Sequence, residues 1–177
     1  MSILKVSQMG HPVLRQVAAP VQEAHFETEA FQRLVADMHE TMVAYSGAGL
    51  AAPQVHKSNR ILVYQSETED GEPEIQTLVN PIIEPLDDTM EKGWEGCLSI
   101  PGIRGSVPRY TRIRVVGLDD QGTEIEYEAE DFEARVIQHE VDHLDGILYF
   151  DRMEDLKTLA FLEEHAMFWG SDDEDEG

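Results

Sequence analysis

The spacing of apolar and polar positions predicts a chain of mixed secondary structure. Apolar residues three and four positions apart indicate amphipathic helices, whereas β-branched or alternating runs indicate strands. Besides a short helix beginning at Pro12, the predicted helices are residues 28–46, 131–145 and 154–168. The predicted strands are residues 60–65, 75–83, 111–119, 123–130 and 147–150. Polar, acidic loops are predicted at residues 66–73 and 84–93.

The ends of the two longest predicted helices carry capping residues. Thr28 suits the N-cap of the first, and Gly47 suits the position just past its end. Asp131 is predicted to cap the second helix, and Gly146 to end it. The apolar residues of this second helix are spread around its circumference, which predicts burial on most sides: Phe132, Val136, Ile137, Val141 and Leu144.

The second helix also carries the polar sequence His139-Glu140-Val141-Asp142-His143. Residues four apart lie on the same helix face, so both imidazoles can reach one metal ion. Glu140 lies about 100° around the helix from His139, where its carboxylate can reach a water on that ion. This is the HExxH arrangement of metal-dependent hydrolases, with two nitrogen ligands and a general base. The alternative is a pair of core histidines satisfied by hydrogen bonds.

Two further stretches combine small residues with polar or reactive ones. Residues 47–54, Gly-Ala-Gly-Leu-Ala-Ala-Pro-Gln, allow the backbone to pass close to another group. They form either a tight loop packed on the core or a ligand cradle with Gln54 at its edge. Cys97, the single cysteine, follows a glycine within residues 94–101. It cannot form an internal disulfide, which leaves the roles of buried apolar residue, nucleophile or metal ligand.

Length, composition and charge favour one globular domain that binds neither nucleic acid nor membrane. The chain has 177 residues, and no apolar run approaches the roughly 18 residues of a membrane helix. No N-terminal apolar run follows a basic flank, so no secretory signal is predicted. The net charge of −23 disfavours nucleic acids and anionic membranes as partners. We expect a cytoplasmic protein with one domain over residues 1–170 and a disordered acidic tail over residues 171–177.

Three separated motifs resemble those of the bacterial-type peptide deformylases. They are residues 47–54, residues 95–99 (Glu-Gly-Cys-Leu-Ser) and residues 138–143 (Gln-His-Glu-Val-Asp-His). They occur in the family's order and at about its spacing, and the similarity extends to about residue 168. The resemblance implies a metal-dependent hydrolase that removes the N-formyl group from the N-terminal formyl-methionine of new polypeptides and releases formate. We expect an α+β fold, with antiparallel β-sheets packed around a central buried HExxH helix and with N-terminal and C-terminal helices.

The resemblance assigns the metal centre to particular residues. Cys97, His139 and His143 would bind one metal ion, with a water in the fourth position of an open tetrahedral site. Glu140 would take a proton from that water and pass it to the leaving amine. Glu95 would hold neighbouring structure and take no part in the chemistry.

A second set of residues would bind the substrate and its reacting oxygen. The side-chain amide of Gln54 and the backbone N–H of Leu98 would donate hydrogen bonds to the oxyanion formed from the formyl oxygen. Contacts with the rest of the substrate are assigned to Gly49, Ala48, Val136 and Arg135. Ala48 stands where isoleucine or valine is usual, which implies a locally wider groove. Arg135 stands where some members have an aliphatic residue, which implies an altered preference beyond the formyl-methionine.

The resemblance also implies the metal and the partners. Family members commonly use Fe²⁺, and Zn²⁺, Ni²⁺ or Co²⁺ can replace it, although ligand affinity alone favours zinc over iron. We expect Fe²⁺ in the cell and N-formyl-methionyl nascent peptides as substrates. Members that dock on the ribosome use a basic terminal helix, whereas Lys157 is the only lysine or arginine in residues 154–168. Direct attachment to the ribosome is therefore disfavoured.

Two other interpretations compete with this one. An HExxH metallopeptidase usually takes its third ligand downstream of the motif helix, and Glu163, Glu164 and His165 lie at a suitable separation. A non-catalytic metal-binding homologue would keep the fold but lose a ligand, Glu140 or Gln54. The motif at residues 95–99 argues against the first alternative, and the presence of all these residues argues against the second.

Overall fold

Two antiparallel sheets and three α-helices make up the fold. The structure is a computed structural model and describes residues 2–68 and 70–169. Within these residues the strands are β1 Gly49–Ala51, β2 Ile61–Glu67, β3 Pro73–Pro85, β4 Met90–Cys97, β5 Ile100–Tyr110, β6 Arg112–Leu118, β7 Glu124–Glu130 and β8 Ala160–Phe161. The helices are α1 Glu29–Ala44, α2 Asp131–Leu144 and α3 Leu162–Phe168. One sheet has the order β1-β2-β3-β6-β7 and the other the order β4-β5-β8.

The five-stranded sheet lies between α1 and α2 because successive side chains of a strand point to opposite faces. In β2, Ile61 and Val63 pack with α1, whereas Leu62 and Tyr64 pack with α2. On the α1 side the helix contributes Phe31, Val35, Met38 and Met42. On the α2 side the helix contributes Ala134, Val136, Ile137, Val141 and Leu144.

The three-stranded sheet holds α2 from another side through polar contacts. The side chain of Gln138 pairs with the backbone of Tyr110 in β5, accepting from its N–H at 3.1 Å and donating to its carbonyl at 2.8 Å. With the five-stranded sheet packed on its apolar residues, ten of the 14 residues of α2 are buried. This confirms the α+β fold class and the burial predicted for the HExxH helix.

Several local predictions are also confirmed. The Thr28 side chain accepts a hydrogen bond from the Phe31 N–H at 3.3 Å and caps α1. The strands predicted at residues 111–119 and 123–130 are present as β6 and β7, and they pair with each other antiparallel. Gly146 has a φ of +73°, as expected of a residue that ends a helix. A short 3₁₀ helix begins at Pro12, as predicted.

None of the described helices is long and apolar enough to span a membrane.

Three element predictions are wrong. Residues 147–150 are not a strand, because the Asp151 carboxylate accepts from the Leu148 N–H and supports a 3₁₀ turn over Tyr149–Arg152. The helix predicted for residues 154–168 is confined to α3, because residues 160–161 pair with β5. The loop predicted for residues 84–93 is shorter, since β4 already begins at Met90.

Two capping predictions are also corrected. The left-handed residue after α1 is Ser46, with a φ of +54°, and Gly47 instead donates its N–H to the Met42 carbonyl at 2.9 Å. Asp131 is the first residue of α2, and the N-cap position belongs to Glu130, whose side chain makes no capping bond. The acidic tail expected at residues 171–177 lies outside the described residues.

Candidate metal centre

The structure brings the three expected ligands to one point. Cys97 ends β4, where a register shift between Gly96 and Cys97 interrupts the ladder with β5. His139 and His143 lie one turn apart on α2, and the three ligand atoms are all within 4.8 Å of one another. The Cys97 Sγ is 3.2 Å from the His143 Nε2. Ligand atoms on one tetrahedral ion are about 3.5 Å apart, because each lies about 2.0–2.3 Å from the metal. The donor set therefore fits a single ion with one open position.

His139 is oriented by a buried carboxylate. Its Nδ1 lies 2.8 Å from Oε2 of Glu95, which leaves Nε2 as the nitrogen available to a metal. Burial opposes ionisation of Glu95, but hydrogen bonds from His139 and Arg109 outweigh it and lower the pKa of the carboxyl to about 2. A permanently charged carboxylate behind an imidazole fixes its ring position and increases its basicity as a ligand.

A network of charges links this carboxylate to Asp142, three residues after His139 on α2. Arg109 donates two hydrogen bonds to Glu95, at 2.8 and 3.0 Å, and a third to Asp142 at 2.6 Å. Asp142 also accepts from Arg152 at 2.7 Å. Sequence analysis gave Glu95 a structural role but missed Arg109, because nothing in an arginine of a strand distinguishes a buried from an exposed side chain.

Glu140 lies beside the ligands with an oxygen available for chemistry. Within the described part of the chain its Oε2 is buried and has no hydrogen-bond partner. Burial raises the pKa of its carboxyl to about 7. The backbone of Gly49 runs so close that a Cβ at that position would lie 2.5 Å from Oε1 of Glu140. The small residue is therefore required by this close approach.

Gln54 is held with its amide nitrogen towards the cysteine. Its Oε1 accepts a hydrogen bond from the Ala51 N–H at 2.7 Å. Its Nε2 consequently faces Ser99 Oγ at 3.3 Å and Cys97 Sγ at 3.6 Å. The side chain is buried in a 3₁₀ turn over Ala52–Val55 that directly follows β1. Sequence analysis left residues 47–54 open between a packed loop and a ligand cradle; the structure packs residues 50–52 in the core, while Gly49 and Gln54 line the cavity.

A cavity of about 730 Å³ opens over these groups. Apart from His143, every residue that sequence analysis assigned to the site lines it: Ala48, Gly49, Gln54, Cys97, Leu98, Arg135, Val136, His139 and Glu140. The guanidinium of Arg135 donates to the carbonyls of Val107 and Glu91, each at 2.8 Å, and lies 3.1 Å from the Glu95 carboxylate. The charge of Arg135 is thus satisfied by the protein itself.

The comparisons with known proteins identify the family. The model of the polypeptide deformylase family matches residues 3–159. The chain belongs to the polypeptide deformylase family. Peptide deformylase 2 of Ralstonia nicotianae is 48% identical over 166 residues, covering 91% of this chain and 93% of that protein. The class I type b peptide deformylase of Acinetobacter baumannii superposes with a TM-score of 0.81 at 38% identity, over 86% of this chain and 100% of that chain.

Membership of the deformylase family establishes the activity. The chain is a metal-dependent hydrolase that removes the N-formyl group from formyl-methionyl peptides, and the family implies a divalent metal ion. The metallopeptidase alternative required a ligand from Glu163, Glu164 or His165. In the structure His165 instead packs against Trp94, with ring centroids 4.4 Å apart.

Proposed function

We propose that Cys97, His139 and His143 hold the divalent ion at which the formyl group is hydrolysed. The observation that supports this most directly is the convergence of three ligand atoms within 4.8 Å, drawn from a strand end and a buried helix. A bound ion would polarise the formyl carbonyl and lower the pKa of a water in its open position. The Glu95 carboxylate acts as a positioning group, because it fixes the His139 ring that presents Nε2.

Glu140 is the proposed proton carrier. Its Oε2 is buried without a partner in the described structure, so it is available to accept the proton of the attacking water. The same carboxyl group then delivers that proton to the departing amine, which leaves a free N-terminal methionine and formate. Gly49 allows Glu140 this position, because any side chain there would displace the carboxylate.

Gln54 and Leu98 are the proposed donors to the developing oxyanion. The Gln54 amide cannot turn away easily, since its carbonyl oxygen is tied to the Ala51 N–H. Its Nε2 therefore stays close to the Cys97 sulfur, at 3.6 Å. The backbone N–H of Leu98, the next residue, is the second donor. Fixed donors of this kind stabilise charge in the transition state without the cost of reorganising solvent.

The methionine side chain and the peptide backbone are assigned to the remaining cavity. The backbone of Gly49 and Ala48 contacts the substrate chain, and Val136 lines the methionine pocket together with the aliphatic part of Arg135. Because the Arg135 guanidinium is occupied by backbone carbonyls, it contributes packing and no free charge. The deformylase of Acinetobacter baumannii that was crystallised with Met-Ala-Ser is 38% identical to this chain, which supports a short methionyl peptide as the occupant.

We further infer that the ion in the cell is Fe²⁺ and that Zn²⁺, Ni²⁺ or Co²⁺ can take its place. A thiolate and two imidazoles accept any of these ions, so availability decides which is bound. The substrates are nascent formyl-methionyl chains in the cytoplasm. Direct docking on the ribosome through the C-terminal helix is disfavoured, since α3 carries Glu163 and Glu164 in its first turn.

One experiment tests the proposed roles together. Protein purified without oxygen is assayed for formate release from formyl-Met-Ala-Ser, and for cleavage of unformylated Met-Ala-Ser, alongside metal analysis. We expect one iron per chain, formate release from the formylated peptide, and no peptide-bond cleavage. The Glu140→Ala variant should keep its metal and lose formate release. Turnover by that variant at the wild-type rate would remove Glu140 from its proposed role, and a metal other than iron would contradict the iron assignment.

A further inference from the structure

Three consecutive residues near the N-terminus connect the two sheets beside the site. The backbone N–H of Ser7 donates to the Gln54 carbonyl at 2.7 Å, and the backbone N–H of Met9 donates to the Ser99 carbonyl at 2.7 Å. Gln54 lies in the 3₁₀ turn after β1 of the five-stranded sheet, whereas Ser99 lies in the turn between β4 and β5 of the three-stranded sheet. We call residues 7–9 the N-terminal bridge, because they are hydrogen-bonded to both turns.

The side chain of Ser7 adds a second bond to the same carbonyl. Its hydroxyl lies 3.0 Å from the carbonyl oxygen of Gln54 and 3.3 Å from that of Pro53. Ser7 is only 2% exposed, so solvent hardly reaches these bonds. A carbonyl oxygen has two lone pairs, and at Gln54 Ser7 supplies a donor for each. Because the Ala51 N–H holds the side-chain oxygen, Gln54 is fixed at its main chain and at its side chain.

A closed ring of contacts results around the proposed oxyanion donors. The Nε2 of Gln54 donates to Ser99 Oγ at 3.3 Å, and the Ser99 carbonyl is bound by the N-terminal bridge. Leu98, whose backbone N–H is the second proposed donor, directly precedes Ser99. The two donors therefore come from different sheets and share one hydrogen-bonded support. Donors stabilise an oxyanion only when they are fixed in place before the reaction, and a misplacement of about 1 Å is costly.

The N-terminal bridge is itself held on both sides. Before it, the backbone N–H of Leu4 donates to Thr41 Oγ1 of α1 at 2.8 Å. After it, the backbone N–H of Ala18 donates to the carbonyl of Leu144, the last residue of α2, at 2.8 Å. With its flanking segments fixed to two helices, the bridge can keep the two turns at a set separation.

We propose that the N-terminal bridge positions the oxyanion donors, and that Ser7 is a positioning residue that acts through Gln54. The inference rests on the proposed function, which makes Gln54 and Leu98 these donors. The hydroxyl of Ser7 binds backbone carbonyls, so its removal leaves the metal ligands in place and loosens the main chain of Gln54. The transition state should then lose stabilisation, while binding of the substrate in its ground state is unchanged.

A double-mutant cycle on Ser7 and Gln54 tests the proposal. With zinc-loaded enzyme and formyl-Met-Ala-Ser, we expect Ser7→Ala to lower kcat roughly 3- to 10-fold, the effect of one hydrogen bond of ordinary strength. KM and metal content should not change. In the Gln54→Ala background, Ser7→Ala should change kcat by less than about 2-fold, because the donor that it positions is gone.

Ser2→Ala is the matched control. Ser2 belongs to the same N-terminal segment, is exposed, and binds Asp37 through its backbone N–H at 2.6 Å. Removing its hydroxyl leaves that bond intact, so kcat should equal that of the wild type.

The side-chain amide of Gln54 gives a readout that does not depend on turnover. In proton–nitrogen correlation NMR spectra of the zinc-loaded protein, its two N–H signals are those that disappear in Gln54→Ala. We expect Ser7→Ala to shift these signals and Ser2→Ala to leave them where they are.

Failure of the positioning role and failure of the proposed function give different results. An unchanged kcat in Ser7→Ala overturns the positioning role, even if its Tm is lower, and so does an unshifted Gln54 amide. A loss of kcat that is as large in the Gln54→Ala background as in the wild type overturns it too, because Ser7 would then act by another route. A wild-type kcat in Gln54→Ala would instead refute the oxyanion role on which the inference rests.

Discussion

Replacing Glu95 by glutamine tests whether the buried carboxylate both stabilises the fold and positions a metal ligand. Glu95 is hydrogen-bonded to Arg109 at 2.8 and 3.0 Å, to Arg135 at 3.1 Å and to His139 at 2.8 Å. Its pKa falls from 4.5 to about 2, which corresponds to about 3 kcal/mol in favour of the charged form. Glutamine keeps the size of the side chain but removes the charge and turns an amide N–H towards other donors.

We expect the free energy of unfolding of the metal-free Glu95→Gln variant to fall by about 3–5 kcal/mol, the usual cost of removing one partner from a buried charge pair. Metal affinity should fall by about 10- to 100-fold, because the His139 ring loses its anchor. Urea unfolding at pH 7 measures the first quantity, and competition with a chelator measures the second.

Glu154→Gln is the control for this variant. Glu154 pairs with Lys92 at 2.7 Å, but both side chains are at least 60% exposed. Exposed pairs are weakened by solvent and salt, so neither the stability nor the metal affinity should change measurably. If Glu95→Gln behaves like Glu154→Gln in both assays, the network around Arg109 has no part in holding the metal centre.

Three further substitutions test the residues around the ion and the substrate. Glu140→Ala should lower kcat by at least about 10²-fold with metal content unchanged, and a loss of metal would indicate a ligand instead of a proton carrier. Gln54→Ala should lower kcat by about 10²- to 10³-fold with little effect on KM; a change confined to KM would point to ground-state binding. Gly49→Ala should reduce kcat, because the new Cβ would lie 2.5 Å from the Glu140 carboxylate. Wild-type kinetics for Gly49→Ala would show that Glu140 can move aside without cost.

The parts of the fold that can be predicted from the sequence are those in which apolar residues recur at the regular spacing of a helix or a strand. The helix at α1, the hairpin of β6 and β7 and the buried helix α2 all follow from the spacing of apolar residues. In each case local preference and tertiary contacts favour the same structure.

The C-terminal segment is where prediction from the sequence failed. Its apolar residues have a helical spacing over residues 154–168, yet residues 160–161 pair with the exposed edge of β5. A sheet edge offers unpaired backbone donors and acceptors, and a local pattern contains no information about them. The same limit applies to Arg109, whose partners Glu95 and Asp142 lie 14 residues before it and 33 residues after it.

The central claim is that one sulfur and two imidazole nitrogens from Cys97, His139 and His143 hold a single metal ion. X-ray absorption at the metal edge of the loaded enzyme measures this directly. We expect one sulfur at about 2.3 Å and two nitrogens at about 2.0–2.1 Å when zinc is bound, and loss of the sulfur contribution in Cys97→Ser. A wild-type spectrum that requires only nitrogen and oxygen neighbours would contradict the claim.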